Sequence, residues 1–143
     1  MGGVSGHAGI FATAKEIARY AQMLVDEGIW DGRRILKNTQ IQEFTKVQHI
    51  PQDSDLALGW DTPSQSGKSI AGDYFTPGSF GHLGFTGTSI WIDPNQEIII
   101  VLLTNRVHPS RKGDMGSKEM YGVRREFYNK VMEGLVGRER SKG

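Results

Sequence analysis

Between Thr13 and Gly28 the apolar residues Ile17, Ala21, Leu24 and Val25 fall on one face at helical spacing. Thr13 followed by Glu16 makes a capping box and Gly28 suits a stop, so the pattern predicts a helix over residues 14–27. GIWDGRRIL reads as a turn with short extended pieces. Asn38 or Thr39 can then cap a shorter helix carrying Ile41, Phe44 and Val47, bounded by Pro51. LALGWD at 56–61 alternates weakly and reads as a strand, whereas TPSQSGKSIAGDYFTPG is rich in Gly, Ser and Pro and reads as a loop or an irregular hairpin.

The sheet signal strengthens after residue 79. Segments 89–93 and 98–103 flank DPNQ, where Asp93 and Pro94 suit the first positions of a type I turn, so the two should pair antiparallel. IIIVLL lacks polar alternation, which predicts a strand covered on both faces. Ser117 can cap a last helix in which Met120, Val123, Phe127 and Val131 recur, with Tyr128, Met132 and Leu135 broadening the stripe. The expected class is α+β, an antiparallel sheet flanked by helices, in one partial domain over residues 1–136 with a disordered polar tail at 137–143.

Composition changes this picture in few places. A chain of 143 residues supports one core, and 17 basic against 16 acidic side chains leave a formal charge of +1, too little to steer the chain to nucleic acid. The absence of cysteine removes disulfides and thiolate nucleophiles, and no segment approaches the roughly 20 apolar residues of a membrane span or has the form of a signal peptide. The chain has 19 glycines, well above the ordinary share of about 7%. They gather at 2–9 and 78–87, which suggests special backbone geometry there.

SGKS at 66–69 lacks the glycine that a phosphate loop needs at position 62, which is Thr62, and the glycines of GVSGHAG have the wrong spacing for a dinucleotide fingerprint. His7, His49, His82 and His108 are each isolated, so neither a metal nor a cofactor is expected. His82 stands out because Gly84 follows it in what should be a strand, where glycine signals close approach of another group. A protonatable side chain beside an open strand edge can hold an anionic or carbonyl ligand, with strand N–H groups as oxyanion donors. The plainer alternative is a bulge with a packed histidine.

The stretch HLGFTGTSIWIDPNQEIIIVLLTNRVHP resembles the third motif and following hairpin of the serine beta-lactamase-like and penicillin-binding-protein superfamily, in the branch related to class C beta-lactamases and their esterase relatives. GHAGIFATAKEIARYAQML resembles the same family's entry into a helix ahead of that strand, and the likeness spans most of the chain. In that family a Lys-Thr-Gly or His-x-Gly triplet edges the active site, here His82, Leu83 and Gly84. The resemblance implies that His82 helps bind substrate and tunes the proton network, that Gly84 leaves room for substrate along the strand, and that the Phe85 N–H is the second oxyanion-hole donor. Thr86 and Gly87 would continue the edge, and Asn105 and Arg106 would lie near the substrate, with Ser110 a lesser candidate. His7 has two readings, at the site rim or structural.

The departures are equally informative. No serine is followed by lysine three positions later and no tyrosine by asparagine two positions later, so the Ser-x-x-Lys nucleophile and the Tyr-x-Asn relay are absent from these residues. The chain therefore reads as the C-terminal part of a larger hydrolase of beta-lactam, peptide or ester bonds, inactive alone and self-associating through uncovered sheet edges. Leu83 lacks the hydroxyl that many relatives offer a substrate carboxylate, which leans toward ester or peptide substrates. By the same resemblance the parent is a bacterial periplasmic, cell-envelope or secreted enzyme acting on a small-molecule or peptidoglycan-like substrate. A non-catalytic binding or interaction module reusing this sheet is the alternative.

Overall fold

The structure is a computed structural model that describes residues 2, 4, 6, 7, 9–64, 69–109 and 117–140. Its elements run α1 (Ala14–Val25), β1 (Ile29–Trp30), β2 (Arg33–Arg34), α2 (Asn38–Thr45), β3 (Phe80–Leu83), β4 (Ser89–Asp93), β5 (Ile98–Leu102) and α3 (Ser117–Arg140). β1 and β2 form a small hairpin, and β3, β4 and β5 form an antiparallel sheet in that order. The class is α+β.

The capping box is present: the Glu16 N–H donates to Thr13 Oγ1 at 3.3 Å and the Thr13 N–H to Glu16 Oε2 at 2.7 Å. The helix stops at Val25, two residues before the sequence reading has it. Its end is closed by the Gly28 N–H on the Met23 carbonyl at 2.8 Å. Gly28 takes φ +86°, and a Cβ there would collide with the Leu36 carbonyl, so only glycine fits.

Helix α2 begins at Asn38, so the flanking position belongs to Lys37, not to Asn38 or Thr39. The Gln40 side chain accepts from the Lys37 N–H at 3.2 Å. Only Ile41 of the expected apolar row is buried there; Phe44 is exposed and Val47 lies beyond the helix. The expected strand at 56–61 contracts to isolated bridges, Leu56 to Asp61 and Asp61 to Gly81, because the chain doubles back at once. The Ala57 N–H bonds the Trp60 carbonyl across Gly59, whose φ is +77°.

Strand register separates two cores. Phe80 pairs with Ile92 and Ile92 with Ile99, which places them on the face that packs with Ala21, Met23 and Leu24 of α1 and Ile41 of α2. Gly81 pairs with Trp91 and Trp91 with Ile100, on the opposite face with Ala71, Phe75, Tyr128 and Met132. β5 thus has apolar partners on both faces, as its unbroken apolar run requires. Each large side chain buried this way contributes about 1.5–3 kcal/mol.

Helix α3 buries Met120, Arg124, Tyr128 and Met132, a single row four residues apart, whereas Val123 and Leu135 are exposed. Met120, Tyr128 and Met132 of the expected stripe are thus buried and Phe127 and Val131 pack beside them, while Val123 and Leu135 fall outside it and Arg124 joins it. The helix runs on to Arg140, past the point at which the sequence reading starts a disordered tail; residues 141–143 of that tail lie outside the described residues. The Asn129 amide holds Asp73 through N–H contacts of 2.8 Å in both directions, and Arg125 donates to the Ser69 carbonyl at 2.8 Å and pairs with Asp73. These bonds fasten the 69–76 loop onto α3. Among the described residues no helix is long and apolar enough to cross a membrane.

Candidate functional site

β3 ends at Leu83, and the chain turns back through 84–88 into β4. The Gly87 N–H donates to the Gly84 carbonyl at 3.1 Å, closing a β-turn with Phe85 and Thr86 at its centre, and the Gly84 N–H donates to the Thr88 carbonyl at 2.7 Å. Gly87 has φ +95° and presses against Thr104 and Met120, so the turn needs glycine there.

Gly84 also has no room for a Cβ, but the space is filled by the Thr88 hydroxyl. The missing side chain at Gly84 thus admits Thr88. Gly81 is closed in by Trp91 and the Ile90 carbonyl in the same way.

Two arginines hold this turn. Arg124, 3% exposed, donates from Nη2 to the Gly84 carbonyl at 2.9 Å and the Thr88 carbonyl at 3.1 Å, and from Nε to the Gly87 carbonyl at 3.1 Å. Arg106 donates from Nε to the Phe85 carbonyl at 2.8 Å and lays its guanidinium over the Phe85 ring, 5.0 Å from the centroid. The Thr86 carbonyl accepts from Thr104 Oγ1 and from the Arg106 N–H, both at 2.9 Å. Burial lowers the Arg124 pKa, opposed by Tyr128, Tyr121 and Asp61, and a guanidinium stays charged through such a shift.

Leu83, Gly84, Phe85, Arg106, Met120, Tyr121 and Arg124 line an open pocket of about 210 Å³. His82 is exposed on the last part of β3, opposite Ile90, and flanks this lining. Asp61 lies along the outer edge of β3, exchanging backbone hydrogen bonds of 2.8 and 2.9 Å with Gly81. Burial raises the Asp61 carboxyl pKa, partly offset by His82, the Leu83 N–H and Arg124.

The structure therefore brings Leu83, Gly84, Phe85 and Arg106 to one pocket, with His82, Thr86 and Gly87 adjoining. Asn105 is exposed after β5 and His7 is exposed ahead of α1; neither lines the pocket. Ser110 and the SGK of the rejected phosphate-loop motif lie outside the described residues. Sequence reasoning missed Asp61, Met120, Tyr121 and Arg124. The signal for Arg124 was present: a lone cation in the row Met120, Tyr128, Met132, where every other member is apolar or aromatic.

The family described as Beta-lactamase matches residues 1–120. Proteins of Salmonella enteritidis PT4 and Salmonella typhi, each named "Putative D-alanyl-D-alanine carboxypeptidase", are 35% identical over 109 residues, covering 76% of this chain and 25% of theirs. The chain thus spans about a quarter of the length of the curated relatives it matches. With the family match covering most of its length and the His-x-Gly strand leading into a pinned turn, the chain belongs to the beta-lactamase family of serine hydrolases.

Proposed function

We propose that this chain forms one wall of an acyl-transfer cleft that cuts a peptide, ester or lactam bond through a seryl intermediate. The observation that carries the reading is the Phe85 peptide in the turn that follows β3, where Phe85 lines the pocket and His82 stands on the adjoining strand. A substrate carbonyl placed there would meet the Phe85 N–H as an oxyanion donor, and such a donor is worth about 10²–10³ in rate. His82 supplies the protonatable group beside the bond being cut. Leu83, Thr86, Gly87 and Arg106 shape the surface that substrate lies on, and Leu83, without a hydroxyl, favours ester or peptide substrates. Asn105 lies toward the substrate side in this reading, and His7 has two roles open to it, at the rim or structural. The relatives' carboxypeptidase names support a D-alanyl-peptide substrate.

Because Ser-x-x-Lys and Tyr-x-Asn are absent from the 143 residues, the chain alone does not turn over. The test uses a p-nitrophenyl ester, a chromogenic beta-lactam and a D-alanyl-D-alanine peptide. The expected result is no hydrolysis by this chain, hydrolysis by a longer protein joining it to a Ser-x-x-Lys segment, and at least a 10-fold lower kcat/KM on His82→Ala. Unchanged kcat/KM in that variant removes His82 from the chemistry, and tight binding without turnover by the longer protein favours the interaction module.

Self-association of the isolated chain belongs to the same reading. β5 is the outer strand of its sheet, and Ile10, Phe11 and Ile50 are each more than three-quarters exposed. Sedimentation showing a monodisperse monomer, without dye binding to apolar surface, would refute it.

A further inference from the structure

We infer that Arg124 is a positioning residue for the second oxyanion donor: by holding the Gly84 carbonyl it sets the direction and donor strength of the Phe85 N–H. The inference rests on the cleft reading above for the role of Phe85, but the geometry stands independently. A peptide unit is planar, so the Gly84 C=O and the Phe85 N–H are opposite ends of one rigid plate. Arg124 Nη2 grips the carbonyl end at 2.9 Å and the Gly87 N–H takes a second place on the same oxygen at 3.1 Å. The plate is then fixed, and its N–H end must point away from Arg124.

The other peptide of Phe85 is fixed too, by Arg106 Nε on the Phe85 carbonyl at 2.8 Å. The next carbonyl, of Thr86, is held by Thr104 and the Arg106 backbone. Both dihedrals of Phe85 are thereby held from outside the turn. A cation on a carbonyl also polarises the peptide, which strengthens the N–H at its far end. Arg124 is suited to this because its fork reaches the Gly84, Gly87 and Thr88 carbonyls at once, which a lysine ammonium on a single flexible stem cannot reproduce. Its place in the buried row of α3 makes the last helix the carrier of that fork.

The experiment compares this chain with Arg124→Lys and Arg124→Ala by amide hydrogen exchange and by two-dimensional amide NMR. The expected outcome is at least 10-fold faster exchange at Gly84 and Gly87 in Arg124→Lys, with a shifted Phe85 amide resonance, while β4 and β5 amides keep their protection. Arg124→Ala should show the same local change more strongly. Exchange at Gly84 and Gly87 that matches the unaltered chain overturns the inference. So does equal acceleration across β4 and β5 in both variants, which would make Arg124 a general stabiliser.

In a hydrolytically active longer protein, Arg124→Lys should lower kcat at least 10-fold with KM within 2-fold, and an unchanged kcat overturns the role assigned to Phe85. The exchange measurement decides the positioning whether or not any ester or peptide is hydrolysed, so a failure of the cleft reading remains separate.

Discussion

The two turns that bracket β4 are held by opposite chemistry. At 93–97 a buried carboxylate holds the turn from within: Asp93 accepts from the Asn95 N–H at 3.0 Å, the Gln96 N–H at 3.1 Å, and the Thr76 N–H and hydroxyl at 2.8 Å. At 84–88 a buried guanidinium holds the turn from outside through its carbonyls. The anion satisfies the N–H groups of its turn, and the cation satisfies the carbonyls of its own, while the Gly84 and Gly87 N–H groups bond within that turn.

The largest effect should come from breaking the anionic side. Asp93→Ala strands several buried donors and should cost about 3 kcal/mol in urea unfolding, with the loss spread over the whole sheet. Burial would raise the Asp93 carboxyl, but hydrogen bonds from Thr76 and Gln96 outweigh it and hold its pKa below the ordinary value. A depressed folded pKa contributes stability above the unfolded value, about 3.9, and that contribution fades as pH falls through the folded pKa. Asp93→Asn should flatten the acid limb of the stability profile.

Next, Gly84→Ala drives a methyl into the Thr88 hydroxyl and should cost about 2 kcal/mol, with partial recovery in the Gly84→Ala, Thr88→Gly double variant. An unaltered urea midpoint in the single variant would show that the turn yields freely.

Tyr128→Phe removes the hydroxyl that shares a 2.6 Å hydrogen bond with Ser89 beneath the cationic turn, and should cost about 1 kcal/mol. Burial pushes the Tyr128 phenol up to about 12, with Ser89 and Arg124 pulling back. The protonated phenol therefore contributes stability below pH 10 that is lost between about pH 10 and 12, and Tyr128→Phe should abolish that part of the alkaline transition.

The smallest effect is at Asp61. Its raised pKa means that ionisation on going above about pH 4 disfavours the fold, the reverse of Asp93. Asp61→Asn should raise the unfolding free energy at neutral pH by less than about 1 kcal/mol, read from urea unfolding.

Local pattern was legible where one short-range rule decides. The Thr13–Glu16 box, the Gly28 stop and the apolar β5 run each act over a few residues, and each is found in the structure. The family was legible through resemblance. What sequence reading missed depends on partners far along the chain. Asp61 becomes part of the β3 edge only through its bonds to Gly81, 20 positions on, and LALGWD looks like a strand until Gly59 reverses it. Arg124 reads as a solvated helix charge until its partners, 36 to 40 positions away, are known. At Gly84 the partner is near in sequence, since Thr88, four positions on, fills the place of a Cβ, but the hairpin that brings the two together is set by the pairing of β3 with β4.

The separation of Arg124 from Gly84 also has a consequence in time. At roughly 5–20 residues per second of synthesis, the 40 positions between them take about 2–8 s. β4 and β5 are made during that interval, before the α3 residue that holds the 84–88 turn exists. The three-carbonyl grip on that turn therefore closes only after α3 has been synthesised.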